Sequence, residues 1–93
     1  MRKRMLIMDQ DDNVGVLLED ARKNDSATFE STTVTALEPI EFAHKIALRD
    51  IEKGEDIIKY GEAIGYALTD IQKGQWIHIH NMDDAHGREG RLS

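Results

Sequence analysis

The chain contains a copy of part of itself. Residues 47–57 return at residues 67–77 with identities at Ala47/Ala67, Leu48/Leu68, Asp50/Asp70, Ile51/Ile71, Lys53/Lys73, Gly54/Gly74 and Ile57/Ile77. A weaker third copy runs from Leu17 to Asp25, with Asn24 where the other two carry glycine. Asn is the non-glycine residue that best tolerates a positive φ, so the exchange keeps one backbone conformation. The flanking Leu and Ile of each copy are the residues to bury. Each copy reads as a strand followed by a turn. The Asp can bind backbone amides ahead of it, and the Lys-Gly pair supplies the left-handed residue that closes the turn. Asp50 and Asp70 could be taken for an acid/base pair, but turn formation accounts for them more simply.

The rest of the chain follows the same short-strand pattern. Strands are expected at Val14–Leu18, Thr32–Ala36, His44–Leu48, Ile57–Tyr60 and Ile64–Leu68, rich in β-branched residues and punctuated by Pro39, Gly61 and Gly65. Trp76–His80 alternates with period two, so Ile77 and Ile79 should point one way and Trp76, His78 and His80 the other. Residues 41–51 also fit a helix through Phe42, Ile46 and Arg49, but the repeat favours a strand. Residues 19–31 are polar and read as a loop or a helical turn. The expected layout is an N-terminal segment at 1–11, a mainly β domain at 12–81 and a mobile tail or linker at 82–93.

Size and charge narrow the function. With 93 residues, 40% apolar and 32% charged, this is one globular domain. It is too short to hold cofactor site, substrate site and lid together, so any catalysis needs groups from another chain. The absence of cysteine rules out disulfides, thiolate–zinc sites and a thiol nucleophile. A net charge of -6 argues against a general nucleic-acid surface. The basic start at Arg2-Lys3-Arg4 is followed by only four apolar residues before Asp9, too few for a signal peptide or a membrane span. A cytoplasmic protein is the expectation.

The candidate chemistry lies in a few side chains. His78 and His80, two apart on one strand, project from one face roughly 7 Å apart. That spacing suits two imidazoles on one metal ion or on one substrate, and equally a solvated strand face. A metal needs a third ligand, for which His44 is the candidate within the chain, with a partner's carboxylate as the alternative. Lys45 and Lys59 are cations able to meet a carboxylated ligand. Asn81 offers a polar contact or ends the strand. Trp76 shares the histidine face and suits stacking on a ligand or packing on a subunit. His86, in the tail, is assigned no role. No phosphate loop or nucleophile elbow is present.

Taken in order, these runs resemble a known family. Ala43-His44-Lys45-Ile46-Ala47-Leu48-Arg49-Asp50-Ile51-Glu52-Lys53-Gly54, then Ile58-Lys59-Tyr60-Gly61, Ile64-Gly65-Tyr66-Ala67 and His78-Ile79-His80-Asn81 are similar to the N-terminal domain of altronate/galactarate dehydratases. The resemblance covers residues 12–81, opening at Asp12-Asn13-Val14. It implies an SAF-type β-clip fold and a lyase that takes the C2 proton and C3 hydroxyl from a sugar acid to give a 2-keto-3-deoxy acid. It also implies a divalent metal, iron in the usual case, and a large catalytic subunit as partner; a homo-oligomer stays open. The small subunit of sulfolactate sulfo-lyase has similar motifs. By this resemblance His44 and Lys45 take the catalytic role, Lys59 and Asn81 bind substrate, and His78 and His80 bind metal. A chain running from Met1 to a stop soon after Asn81 is read as the separate small subunit. Two features depart from the family. Ala43 stands where glycine is usual, and the polar stretch 22–31 is long.

Overall fold

A computed structural model describes residues 1–84, and every element in it is a strand. The strands are β1 (Arg2–Leu6), β2 (Val14–Leu17), β3 (Ser26–Phe29), β4 (Thr32–Thr35), β5 (Lys45–Ala47), β6 (Asp56–Lys59), β7 (Glu62–Ala67), β8 (Trp76–Ile77) and β9 (Met82–Asp84). They form a six-stranded sheet in the order β4-β3-β1-β2-β5-β8 and a three-stranded sheet in the order β6-β7-β9. All pairings are antiparallel except β1 with β3. No helix among the described residues is long and apolar enough to cross a membrane.

The repeat explains this architecture, and it occurs four times rather than three. Turns at residues 22–25, 41–44, 52–55 and 72–75 each close with a bond from the fourth amide to the first carbonyl, at 2.9–3.1 Å. The third residue of each has positive φ: Asn24 at 76°, Ala43 at 72°, Gly54 at 88° and Gly74 at 94°. Positive φ at that position defines a type II turn. The amides of these residues then donate to the carbonyls of Ala36, Leu17, Ala67 and Ala47 respectively. The fourth copy, unseen in the sequence, aligns Ala36, Leu37, Ile40 and Glu41 with Ala47, Leu48, Ile51 and Glu52.

The copies associate in pairs. The residue before each turn meets its counterpart in an antiparallel bridge, Ala21 with Ile40 and Ile51 with Ile71. All four are buried. Asp50 accepts from the Lys73 amide and Asp70 from the Lys53 amide, each at 2.9 Å. Asp20 accepts from the Phe42 amide at 2.8 Å, whereas Pro39 occupies the fourth such position and has no carboxylate to offer. The aspartates therefore clamp the turn of the paired copy, not their own.

Apolar residues fill two cores. One gathers Met5, Leu17, Ala27, Val34, Ile40 and Ile46, with Trp76 and Leu48 packed against it. The other gathers Val14, Ile51, Ile57, Ile71 and Ile77. Burying each large aliphatic side chain contributes about 1.5–3 kcal/mol. Asn13 joins the two sheets. Its side chain donates to the Asp56 carbonyl and accepts from the Ile58 amide, at 2.8 and 2.7 Å.

Three expectations need correction. Arg2–Leu6 lies inside the six-stranded sheet, so the domain does not start at residue 12. Ser26–Phe29 is a strand within the stretch read as loop or helical turn, because pairing with β1 and β4 outweighs its polar composition. Met82–Asp84 pairs with β7, so the expected tail begins with a strand. The rest of that tail, including His86, lies outside the described residues.

Candidate functional site

Three histidines surround the single tryptophan. The His78 and His80 rings lie 5.2 and 4.9 Å from the Trp76 ring, centroid to centroid. The His44 ring meets Trp76 edge-on at 5.6 Å and stands 5.6 Å from His78. Trp76 and Ile46 pair directly across β5 and β8, which places the indole on the first core and its outer side against the imidazoles. The indole Nε1 is buried with no hydrogen-bond partner.

His44 reaches this cluster because it is the odd member of the repeat. At the fourth turn position, Asp25, Glu55 and Gln75 each turn a side-chain oxygen back onto the first amide of their own turn. His44 does not make that bond; its Nδ1 lies 3.2 Å from the Phe42 carbonyl. The ring is thereby left free to lean on Trp76. Ala43, with φ of 72°, fills a turn position that requires a left-handed residue, where glycine would be unstrained.

The C-terminal histidines are not on a strand. β8 ends at Ile77, and residues 78–81 form a turn closed by bonds from the Asn81 and Met82 amides to the His78 carbonyl, at 3.1 and 3.0 Å. The cause is Asn81, which is buried. Its Oδ1 accepts from the His78 amide at 3.0 Å and its Nδ2 donates to the Trp76 carbonyl at 2.8 Å. Local side-chain bonds of this kind divert the backbone from a strand. Ile79 consequently projects outward, 77% exposed, instead of pairing with Ile77 on a buried face. Asn81 was expected to bind substrate. Both ends of its amide are committed to backbone, so its role here is to hold the histidine turn.

Lys45 is not part of this cluster. Alternation along β5 sends it to the face opposite His44 and Ile46, across from Val16 and Ile77. There burial, and next the charge of Lys59, lower the Lys45 ammonium pKa from its ordinary value. Lys59 stands with its Nζ 4.9 Å from the Tyr60 ring centroid. Lys45 is thus separated from the histidine–tryptophan face. A shallow cleft of about 570 Å³ lined by Ile7, Asp9, Asp12, Phe29 and Leu48 includes none of these residues.

The metal expectation can be tested against the donors. Among the described residues no group of three or more His, Asp or Glu side chains is placed to hold a metal ion. His78 and His80 are instead occupied in ring contacts with Trp76. These residues alone do not fit a metal centre. What they offer is imidazole nitrogens able to donate or accept protons, beside an aromatic ring.

Fold and site together define an all-β, clip-type domain of paired turn repeats that presents imidazoles on one face. Residues 3–85 match the family model for the altronate/galactarate dehydratase SAF domain, and the chain belongs to that family. It is 46% identical over 70 residues to an altronate dehydratase of Escherichia coli (strain K12), which covers 75% of this chain and 14% of that protein. It is 35% identical over 79 residues to an altronate dehydratase of Bacillus subtilis (strain 168), covering 85% and 16%. It is also 40% identical over 48 residues to the (2R)-sulfolactate sulfo-lyase subunit alpha of Paracoccus pantotrophus, covering 52% and 72%. The chain therefore spans only about a seventh of the dehydratases it matches.

Proposed function

We propose that this chain is the SAF-domain component of a hydroxy-acid lyase, altronate dehydratase-like in chemistry, and works with a larger catalytic region on a separate chain. The observation that carries this reading is the 46% identity to the Escherichia coli altronate dehydratase across three-quarters of the chain. Its small share of that protein supports assigning most of the active site elsewhere. A separate small subunit is favoured by the match to a sulfo-lyase subunit alpha over 72% of that subunit's length. The same match makes sulfolactate the second substrate candidate.

Dehydration of a sugar acid removes the C2 proton, breaks the C3–oxygen bond and releases water. The leaving hydroxyl needs a proton, and the C2 proton needs an acceptor. In this reading His44, His78 and His80 hold or move one of those protons at an imidazole nitrogen. Trp76 fixes the rings, while the other acid/base group and any divalent metal come from the partner.

The experiment is an exchange. The matching stretch of the Escherichia coli altronate dehydratase is replaced by this chain, and altronate turnover is measured with and without His44→Ala and His78→Ala. Turnover that both substitutions sharply reduce, with the fold intact, is expected. Unchanged turnover in both variants would limit this chain to a structural role. Full turnover of altronate by the isolated chain would refute the need for a partner.

A further inference from the structure

We propose that Glu38 is a positioning residue for the histidine cluster. Its carboxylate holds the backbone amide of Trp76, and through it sets where the indole meets His44, His78 and His80. The consequence for turnover rests on the lyase reading above; the placement of the rings does not.

Three observations carry it. First, the indole does not anchor itself. A buried tryptophan usually ties down its ring through the N–H, but the Trp76 Nε1 is buried with no hydrogen-bond partner. The place of the ring therefore depends on how the Trp76 backbone is held. Second, side chains hold that backbone at both of its polar groups. Glu38 Oε2 accepts from the Trp76 amide at 3.1 Å, and Asn81 Nδ2 donates to the Trp76 carbonyl at 2.8 Å. β8 is two residues long and ends its sheet, with β5 on one side only, so the ladder adds little. Third, the bond is a device of the repeat. Glu19 and Glu38 follow Leu18 and Leu37 at one position of two paired copies, where the other two copies carry Arg49 and Thr69. Glu19 accepts from the Arg4 amide at 2.8 Å, as Glu38 does from Trp76. The preceding amides, of Leu18 and Leu37, donate to the Arg4 and Gly74 carbonyls at 2.9 Å. The same clamp thus grips β1 in one copy and the indole-bearing strand in the other.

The Trp76 ring lies 4.9–5.6 Å from all three imidazoles, centroid to centroid. Moving its backbone moves the surface on which they rest. Glu38 acts on them only through Trp76.

The test is proton nuclear magnetic resonance of the full chain, with tryptophan fluorescence, on Glu38→Ala, Glu38→Gln and Glu19→Ala. The imidazole ring signals are displaced by the ring current of the adjacent indole, so they report its position. Glu38→Ala should move the signals of His44, His78 and His80 and the Trp76 emission. Glu38→Gln should leave both near their original values, because its amide oxygen accepts the same bond. Glu19→Ala removes the equivalent clamp and should lower the melting temperature without moving the imidazole signals. Unmoved signals in Glu38→Ala, equal movement in Glu19→Ala, or a Glu38→Gln as displaced as Glu38→Ala would each overturn the proposal. In the dehydratase exchange, Glu38→Ala should lower kcat about tenfold with KM little changed, and Glu38→Gln should restore it. Displaced imidazole signals with unchanged kcat would uphold the positioning role and refute the catalytic reading of the histidines instead.

Discussion

Asp50 holds the backbone amide of Lys73, and Asp70 holds that of Lys53, each at 2.9 Å. Two carboxylates at equivalent repeat positions thus stitch the paired copies together. Neither faces the histidines' ring contacts, which lie around Trp76. Asp50→Ala and Asp70→Ala should each lower stability by about 0.5–1.5 kcal/mol, the net value of one such bond. Urea unfolding measures this, and His-dependent turnover in the dehydratase exchange should survive. Loss of turnover without loss of stability would return the aspartates to the chemistry.

Two glycines of the repeat should differ sharply. A Cβ at Gly54 would meet nothing within 4 Å, whereas at Gly74 it would stand 2.1 Å from the Thr35 carbonyl oxygen. Gly54→Ala therefore costs only the left-handed strain, about 1–2 kcal/mol. Gly74→Ala adds a clash with backbone and should be the more destabilising by a clear margin in thermal melts. Ala43→Gly should move the other way, since it relieves the same strain at φ of 72°. Equal effects at Gly54 and Gly74 would show that the close approach to β4 is not rigid.

Asn81→Ala should release the histidine turn. It removes two buried hydrogen bonds and leaves the His78 amide and Trp76 carbonyl without those partners, a loss of about 2–3 kcal/mol. Trp76 is the sole tryptophan, so its fluorescence reports the site directly. A shift in emission alongside the lower melting temperature is expected. An unchanged spectrum would mean that the turn keeps its shape without the amide.

Burial of Lys45 sets a dependence on alkaline pH. A lysine whose folded-state pKa is lowered binds fewer protons folded than unfolded, so stability rises with pH through that window. The penalty is fully present below the folded value and fades toward the ordinary lysine value of 10.5. Lys45→Met should therefore stabilise the chain at neutral pH, and the gain should shrink as pH approaches that value. Urea midpoints at several pH values measure it. A gain independent of pH would assign the effect to packing rather than charge.

Much of the fold was legible because the repeat is written in residues with strict backbone consequences. Gly54, Gly74 and Asn24 mark left-handed turn positions by type alone. The copy at Ala36–Ala43 escaped notice because Ala43 hides the left-handed residue and Pro39 replaces the aspartate. β1 and β9 were missed for a different reason. Chain-terminal and polar segments become strands only when a partner supplies the ladder, and that partner lies elsewhere in the sequence. The gathering of His44, His78 and His80 was also legible, since His44 was the third group the sequence offered beside the His78/His80 pair.

By itself, then, the sequence determined a mainly β domain of repeated turns, without cysteine chemistry and with histidines as its candidate groups. Only the tertiary structure decided how those groups are shared out. Asn81, placed in the sequence as a substrate contact, is drawn inward by two backbone bonds and bends the chain away from a strand. Adjacent residues His44 and Lys45 are parted to opposite faces because a pleated strand alternates its side chains. Lys59 ends β6 in the smaller sheet, which Asn13 stitches to the start of β2. Spacing along a chain records neighbours in sequence, and the pairing of strands decides which of them become neighbours in space.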